Sequence, residues 1–464
     1  MAQIILVSSF FQALTVAALQ EEGLLAGPGE RQILVIANNS PKPEIVPSFK
    51  MAESAQVLLD KFDQVVSLND AIWPVHPRAL SVKNENSVLL RKHLTTEWGI
   101  PNEPHDLIVE SFPNPPGGAL ARVFRDASIS MISDGLMSYG PLRNPVAPEF
   151  RHRLKNVFYT DLVPGLRPVR LSAHNPALVV GSAAKMKAIV DQLSDHHFTH
   201  LRGPATPWPE GSALILAQYL ADLGAISKDE ELDLHRTMID KVAEQGLESV
   251  VFKPHPAASP ALLGPMRAHA EQLGLRFIVE PSPASAEILI NQYRPAAVIS
   301  CFSTALATAG VLFDVKPIAV GTELMLERFA PYENSNRVPV TIADAVFGAA
   351  SRARAEHIRD SDFTVELQKL VNAVSYCMQP VNETHLRQDA IEYLQDALGT
   401  DRMRYFKYRR LTALDLPGSR GSSNGIGESR SLTRRSATVI KRRLRKSGLT
   451  QLPIARSARR IIRR

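Results

Sequence analysis

Short apolar runs alternate with longer stretches of mixed polarity through most of this chain. "IILV" (4–7), "ILVIAN" (33–38), "FDQVVSL" (62–68), "DLIVESF" (106–112) and "ISMIS" (129–133) are rich in Ile and Val and read as strands. Helical spacing lies between several of them. That alternation predicts a parallel sheet with crossover helices. It sets the strand ends "SSFF", "NNS" and "SDG" at the carboxyl edge, where open α/β sheets bind ligands. "RGPATPWPEG" (202–211), with three prolines and two glycines, reads as a linker. The alternation then restarts. "ALILAQYL", "SVVFKPHP", "RFIVEP", "AAVIS" and "KPIAVG" read as strands. Between them lie a helix from Ser227 to Gly246 with a Ser227/Glu230 capping box, a helix through Met266–Leu273, "SAEILINQY" and "TALATAGVLF". A helix near "TVELQKLVNAVSYCM" closes the second half. Two α/β halves in tandem predict a cleft at their junction.

The opening "MAQIILVSSFFQALTVAAL" looks like a signal peptide but lacks a basic n-region, and Gln12 interrupts its apolar run. It reads as a strand (Gln3 to Val7), a turn (Ser8, Ser9) and a helix. The far end has a different character. "GSRGSSNGIGES" (418–429) is Gly/Ser-rich. After it, Leu432, Val439, Ile440 and Leu444 fall within one arc of about 140° on a helical wheel, with Arg and Lys on the other side.

Composition sharpens this division. The chain has 464 residues, 45% of them hydrophobic and 22% charged, as in soluble globular proteins. Its net charge of +6 conceals an asymmetry: residues 401–464 hold 19 Lys and Arg against 3 Asp and Glu, and the rest hold 34 against 44. The expected organisation is therefore an N-terminal α/β domain (1–205), a second (206–400) and a basic, partly flexible tail (401–464) with an amphipathic helix. A basic tail with an apolar helical face fits an anionic membrane surface better than nucleic acid, because phosphate binding alone needs no apolar face. A solvated tail is the plain alternative. Two cysteines, Cys301 and Cys377, allow at most one bridge and fit a reducing cytosol.

Three predicted strand ends carry chemistry. In "KPHP" (253–256), Pro256 biases His255 away from helical geometry, and the two prolines stiffen the loop. A histidine so placed can hydrogen-bond a phosphate or protonate a leaving group, with Lys253 as a second positive charge. A rigid turn with a surface histidine is the bland alternative. In "ISCFST" (299–304), Ser300, Ser303 and Thr304 cluster at a helix start, where unpaired amides attract anions. Ser303 as an ordinary N-cap explains the pattern equally well. In "ISDGLMSYGP" (132–141), Asp134 precedes Gly135. A carboxylate there can deprotonate a hydroxyl, and Asp-Gly is also a common turn pair. "DHHFTH" (195–200) places His197 and His200 three apart with no partner ligands nearby, so no metal site is expected.

In order and spacing, these motifs resemble the bacterial polysialyltransferases and lipooligosaccharide sialyltransferases, over roughly residues 1–400. That family carries an acidic-acidic-Gly motif, a later His-Pro motif and a serine/threonine motif, matched here by Asp134-Gly135, His255-Pro256, and Ser303-Thr304 with Ser300 nearby. "VSSFFQALTVAAL" is similar to its opening strand-loop-helix, which lines the acceptor side and would bring in Ser8, Ser9 and Gln12. One departure stands out: Ser133 occupies the place of the first acid, often assigned as the base, so Asp134 or another carboxylate must act instead. The resemblance implies two Rossmann-like domains facing a cleft, the GT-B architecture. It implies inverting transfer of sialic acid, or a related nonulosonate, from a CMP-activated donor to a cell-surface glycan or glycolipid hydroxyl. Asp134 would be the base, His255 the group on the departing phosphate, and Lys253, Pro256, Ser300, Ser303, Thr304 and Gly135 the nucleotide-sugar set. No cofactor or metal is implied, and the expected location is cytoplasmic, peripheral on the inner face of the membrane. A CDP-glycerol glycerophosphotransferase shares a histidine-proline motif and a later serine motif. It remains an alternative, as does another GT-B enzyme with a uridine donor.

Overall fold

The Ile- and Val-rich runs at the sheet centres become strands buried on both faces, as parallel strands under helices must be, while the edge runs at 64–67, 276–279 and 316–319 are only partly buried. The computed structural model describes residues 2–25, 27, 29–51, 53–101, 105–132, 135–200, 207–255, 260–348 and 361–419. Seven strands form the first sheet: β1 (Ala2–Val7), β2 (Arg31–Ile36), β3 (Gln64–Ser67), β4 (Asp106–Val109), β5 (Ser128–Ile132), β6 (Leu154–Thr160) and β7 (Ala177–Gly181). Their order is β3-β2-β1-β4-β5-β6-β7, and every pairing is parallel. Five form the second: β8 (Ala213–Leu216), β9 (Ser249–Lys253), β10 (Arg276–Val279), β11 (Ala297–Ser300) and β12 (Lys316–Ala319). Their order is β10-β9-β8-β11-β12, again all parallel. In each sheet the first strand sits centrally and the order reverses beside it, the Rossmann-like arrangement the sequence predicts.

β6 and β7 have no counterpart in the sequence reading. The outer half of β6 carries Lys155 and Asn156, which shorten its apolar run. β7 does hold an apolar run, 177–180, which the sequence reading passes over, and as an edge strand it leaves Ala177, Leu178 and Val180 exposed. The N-terminal stretch is built as read: β1 lies between β2 and β4, and the helix Phe10–Glu21 follows a capping box of Ser9 and Gln12. The Ser227/Glu230 box also forms, at the head of the helix Lys228–Glu244.

Packing joins the halves more tightly than a linker would. One apolar core runs from Ile5, Val7 and Leu14 of the first sheet layer into Leu214, Val251 and Ile299 of the second. The helix Ala183–His200, which carries His197, packs on the helix Phe10–Glu21 and on Ala286–Tyr293 and Thr304–Phe313 of the second half. Asn291 Nδ2 donates to Ser194 Oγ at 3.1 Å across that contact. A second core, with Trp98, Phe112 and Phe124, fills the other face of the first sheet. Of the linker stretch, the described part is pinned down: Trp208 stacks on Tyr293 at 4.3 Å, and its indole N–H donates to Glu280 at 3.1 Å.

The helix Ser361–Met378 returns to the first half. Thr364 Oγ1 donates to the Pro164 carbonyl at 3.1 Å, and Gln368 Oε1 accepts from Arg167 N at 2.8 Å. The folded body runs past residue 400. Arg404 pairs with Asp344 at 2.7 Å, Tyr405 Oη donates to the same carboxylate, and Leu411 is buried. Met1–Ser419 cluster as one unit, and the amphipathic tail segment expected after 420 lies outside the described residues. Cys301 and Cys377 are buried thiols with no disulfide between them. Among the described residues no helix is long and apolar enough to cross a membrane.

Candidate active site

The reversal of strand order leaves a gap at the carboxyl edge of each sheet, and both gaps are furnished with polar groups. In the first sheet it lies between β1 and β4. Ser8 follows β1, and its amide donates to Gln12 Oε1 at 2.8 Å. Its hydroxyl donates to the Glu110 carboxylate, which follows β4, is almost fully buried and also accepts from Asn39 Nδ2 at 3.3 Å. Ser9 accepts from Gln12 N at 3.2 Å as the helix cap. In the second sheet the gap lies between β8 and β11. There Gln218 Oε1 accepts from Phe302 N at 3.1 Å. Ser300 is fully buried at the end of β11, and its hydroxyl donates to the Leu216 carbonyl at 2.9 Å.

A cavity of about 920 Å³ opens beside these edges. The first half contributes Phe10, Phe49 and Met51, and the second Phe252, Lys253, His255, Glu280 and Met266. His255 sits just beyond β9, with its ring packed on Tyr219 at 4.0 Å between centroids. Burial pushes its imidazole down to about 4, so it is neutral at pH 7. Lys253 Nζ donates to the Ser282 carbonyl at 2.7 Å. Burial lowers its proton affinity, and the Glu280 and Glu287 carboxylates oppose that shift. Deeper in, His235 borders the cavity with both ring nitrogens lacking a hydrogen-bond partner, edge-on to Phe252. Its imidazole is also held down at about 4 by burial. One turn earlier, Glu231 accepts from Ala221 N at 3.2 Å, and burial raises its carboxyl.

Gly135 and Thr304 meet across the two halves. Leu136 N donates to Thr304 Oγ1 at 3.2 Å. Gly135 has φ +59°, and a Cβ there would fall 2.3 Å from the same oxygen. This position therefore requires glycine twice, for its left-handed backbone and for the close approach. Ser303 caps the helix Thr304–Phe313, accepting from Ala305 N at 3.2 Å. Asp134, the preceding Ser133 and Pro256 lie outside the described residues. Among the described residues no three His, Cys, Asp or Glu side chains gather as a metal site.

The structure thus groups Lys253 and His255 in one cavity, joins Gly135 to Thr304, and sets Ser8 on Glu110 with Gln12 bonded to Ser8 and Ser9. The sequence reading passed over Glu110, Tyr219, His235 and Glu280. Glu110 and Glu280 each follow an apolar strand directly, the same signal that singled out Asp134. His235 shows no such signal, since it lies mid-helix among charged neighbours.

No curated protein matches the chain. Among solved structures, the GT-B domain of a sialyltransferase from Photobacterium damselae aligns with 11% identity and a TM-score of 0.40, covering 74% of this chain and 96% of that one. The UDP-GlcNAc 2-epimerase from Neisseria meningitidis bound to UDP-GlcNAc aligns with 12% identity and a TM-score of 0.42, covering 83% and 100%. The E. coli heptosyltransferase WaaC with ADP-2-deoxy-2-fluoro heptose aligns with 14% identity and a TM-score of 0.32, covering 69% and 88%. The family model described as alpha-2,8-polysialyltransferase (POLYST) matches residues 3–322, well over half of the sequence and both halves of the cavity wall, and the chain belongs to that family.

Proposed function

We propose that this sialyltransferase-family enzyme takes its sugar from a CMP-activated donor and delivers it, with inversion, to a glycan hydroxyl. The observation that carries this reading is the placement of His255 and Lys253 in a cavity walled by both halves of the chain. In the reaction the acceptor oxygen forms a bond to the anomeric carbon. The bond from that carbon to the phosphate oxygen breaks, and its electron pair leaves with CMP. His255, neutral because it is buried, donates an N–H to the departing phosphate. The negative charge of that phosphate raises the imidazole's affinity for a proton as the bond breaks. Lys253 supplies a fixed positive charge beside it. Ser303 and Thr304 act from the helix start, where their hydroxyls already serve as cap and clasp.

The acceptor proton goes to a carboxylate of the first half. Asp134 is the motif residue, and Glu110 is the buried carboxylate held at the gap by Ser8 and Asn39. A donor screen with CMP-, CDP- and UDP-linked substrates tests the whole reading: CMP release with CMP-sialic acid is the expected result. His255→Ala is expected to lower that rate by about 10²–10⁴. A near wild-type rate removes His255 from the chemistry. Asp134→Asn and Glu110→Gln separate the two bases, the true one showing a comparable loss. The basic tail beyond residue 419 is assigned to an anionic membrane surface on its charge. If a chain lacking 420–464 still sediments with anionic vesicles, that assignment fails.

A further inference from the structure

Gln218 follows the carboxyl end of β8, in the gap beside β11, and borders the cavity that holds His255. Its neighbours in the chain fix where it sits. Ala217 N donates to the Lys253 carbonyl at 3.1 Å, and the Tyr219 ring packs on His255 at 4.0 Å between centroids. Gln218 is thereby set between the "KPHP" segment and the "ISCFST" turn, where its Oε1 accepts from Phe302 N at 3.1 Å. That bond settles how the carboxamide faces. A backbone N–H can only donate, so the oxygen turns to Phe302 and Nε2 is directed elsewhere. Among the described residues nothing accepts from Nε2, and it is not one of the sealed, unpartnered polar atoms. It thus offers two N–H donors at the cavity that the side chain borders.

Two unfilled N–H donors call for an acceptor, and the surroundings narrow the choice. Lys253 and His255 line the same cavity. An anionic oxygen gives Nε2 a strong acceptor and gives the lysine a countercharge, whereas a neutral hydroxyl gives only the first. A cation is unsuited, because Nε2 cannot accept. The two carboxylates that border the cavity are already engaged. Glu280 accepts from the Trp208 indole at 3.1 Å and from Ser282 N at 2.9 Å. Glu231 accepts from Ala221 N at 3.2 Å, and burial favours its protonated form.

We propose that Gln218 holds an anionic oxygen of the sugar nucleotide through Nε2, while its Oε1 keeps the "ISCFST" turn in place. The inference rests on the sialyl-transfer reading above and adds a binding residue to it. In CMP-sialic acid the anomeric carbon bears both the phosphate ester and a carboxylate, so two anionic groups lie one carbon apart. Either presents the same chemistry to Nε2, and ligands with and without the sugar tell them apart.

The test is calorimetric titration of CMP, and of CMP-3-fluorosialic acid as a slow-reacting analogue, into the full chain and two variants. Gln218→Glu keeps an oxygen for Phe302 N but replaces both N–H donors with a second acceptor, so its thermal melt should match the wild type. At about pH 8 its affinity is expected to fall about tenfold or more, the range of a lost hydrogen bond to a charged group. A fall for both ligands assigns the contact to phosphate, and a fall for the analogue alone assigns it to the carboxylate. Relative to wild type, the loss should shrink as pH falls towards about 5, where a carboxyl begins to take a proton and can donate again. A role confined to the Phe302 bond gives neither the loss nor the recovery. Gln218→Leu removes the donors without adding charge and should lose affinity by a smaller factor. Unchanged affinity in Gln218→Glu overturns the proposal, and if that variant does not fold, unchanged affinity in Gln218→Leu does so. A wild type that binds UDP but not CMP overturns the CMP reading alone, and the same comparison with UDP then decides the role of Gln218. A wild type that binds neither nucleotide overturns both.

Discussion

Replacing Gly135 by alanine strikes the point where the two halves touch. The backbone there is left-handed, which costs a residue with a Cβ about 1–2 kcal/mol. The new methyl would lie 2.3 Å from Thr304 Oγ1, 2.7 Å from its Cγ2 and 3.0 Å from its Cβ. Thr304 opens the helix Thr304–Phe313 and is fixed to that backbone, so the loop must retreat, and crowding of this kind adds about 1–3 kcal/mol. The total, about 2–5 kcal/mol, is a large share of the 5–15 kcal/mol that typically holds a domain folded. Thr304→Ala alone loses only the hydrogen bond from Leu136 N, about 0.5–1.5 kcal/mol. In the double variant the two nearest atoms are gone and only the Cβ at 3.0 Å still crowds the methyl, so most of the crowding is relieved while the backbone cost and the lost hydrogen bond remain. Urea unfolding of the four proteins should therefore show a coupling of about 1–3 kcal/mol, the double variant being less damaged than the sum of the singles. Additivity within about 0.5 kcal/mol would refute the contact, and with it the reading of this glycine as a spacer between halves.

Two buried groups should mark opposite sides of a pH–stability profile. Glu383 accepts from Ser172 Oγ at 3.0 Å, faces His385, and is pushed up to about 7 by burial. The fold thus favours its protonated form, so its contribution is fully present below about 4.5 and lost as pH rises to 7, about 3 kcal/mol at ~1.4 kcal/mol per unit. Thermal melts of Glu383→Gln should lose that slope. His235, held down at about 4, penalises the charged form, so stability falls as pH drops from 6.5 towards 4. His235→Leu should flatten part of the acid limb, with His255 keeping the rest, and should be neutral or stabilising by about 1 kcal/mol at pH 7 because both ring nitrogens are unpartnered. A clear loss of stability in that variant would mean the imidazole has a partner.

Much of the architecture was legible because parallel strands under two layers of helix are apolar throughout, as "IILV" and "AAVIS" are. β7 carries a run of the same kind, "ALVV", and nothing in that pattern shows that it is an edge strand with Leu178 and Val180 in solvent. At the site, "KPHP" announced His255 through its prolines, and the structure puts that residue in the cavity. The hydroxyls of "ISCFST" were read as one set, yet they divide three ways. Ser300 ties β11 to β8, Ser303 caps its helix, and Thr304 meets the other half. No local pattern distinguishes these fates, because each partner lies 84 or 168 residues away, or is the helix's own backbone. His235 was invisible for a related reason: a mid-helix histidine becomes a cavity wall only when β9 brings Phe252 against it.

The return of the helix Ser361–Met378 to Pro164 and Arg167 bears on how this chain can be cut and recombined. A division at the proline-rich stretch after residue 200 would look natural on a strand diagram. It would leave the helix Ala183–His200 without the apolar faces of Ala286–Tyr293 and Thr304–Phe313 that cover it. It would also strip the first piece of the late helix that seals its flank. Neither piece would own a closed interior, and the segment 361–419 holds both halves, with Thr364 and Gln368 on the first and Arg404 and Tyr405 on Asp344 of the second, so half-swapped chimaeras with related enzymes should misassemble whichever piece carries it. Inheritance in this molecule is therefore of the whole body to Ser419, and specificity is more readily altered through single loops such as 40–51 than through exchange of halves.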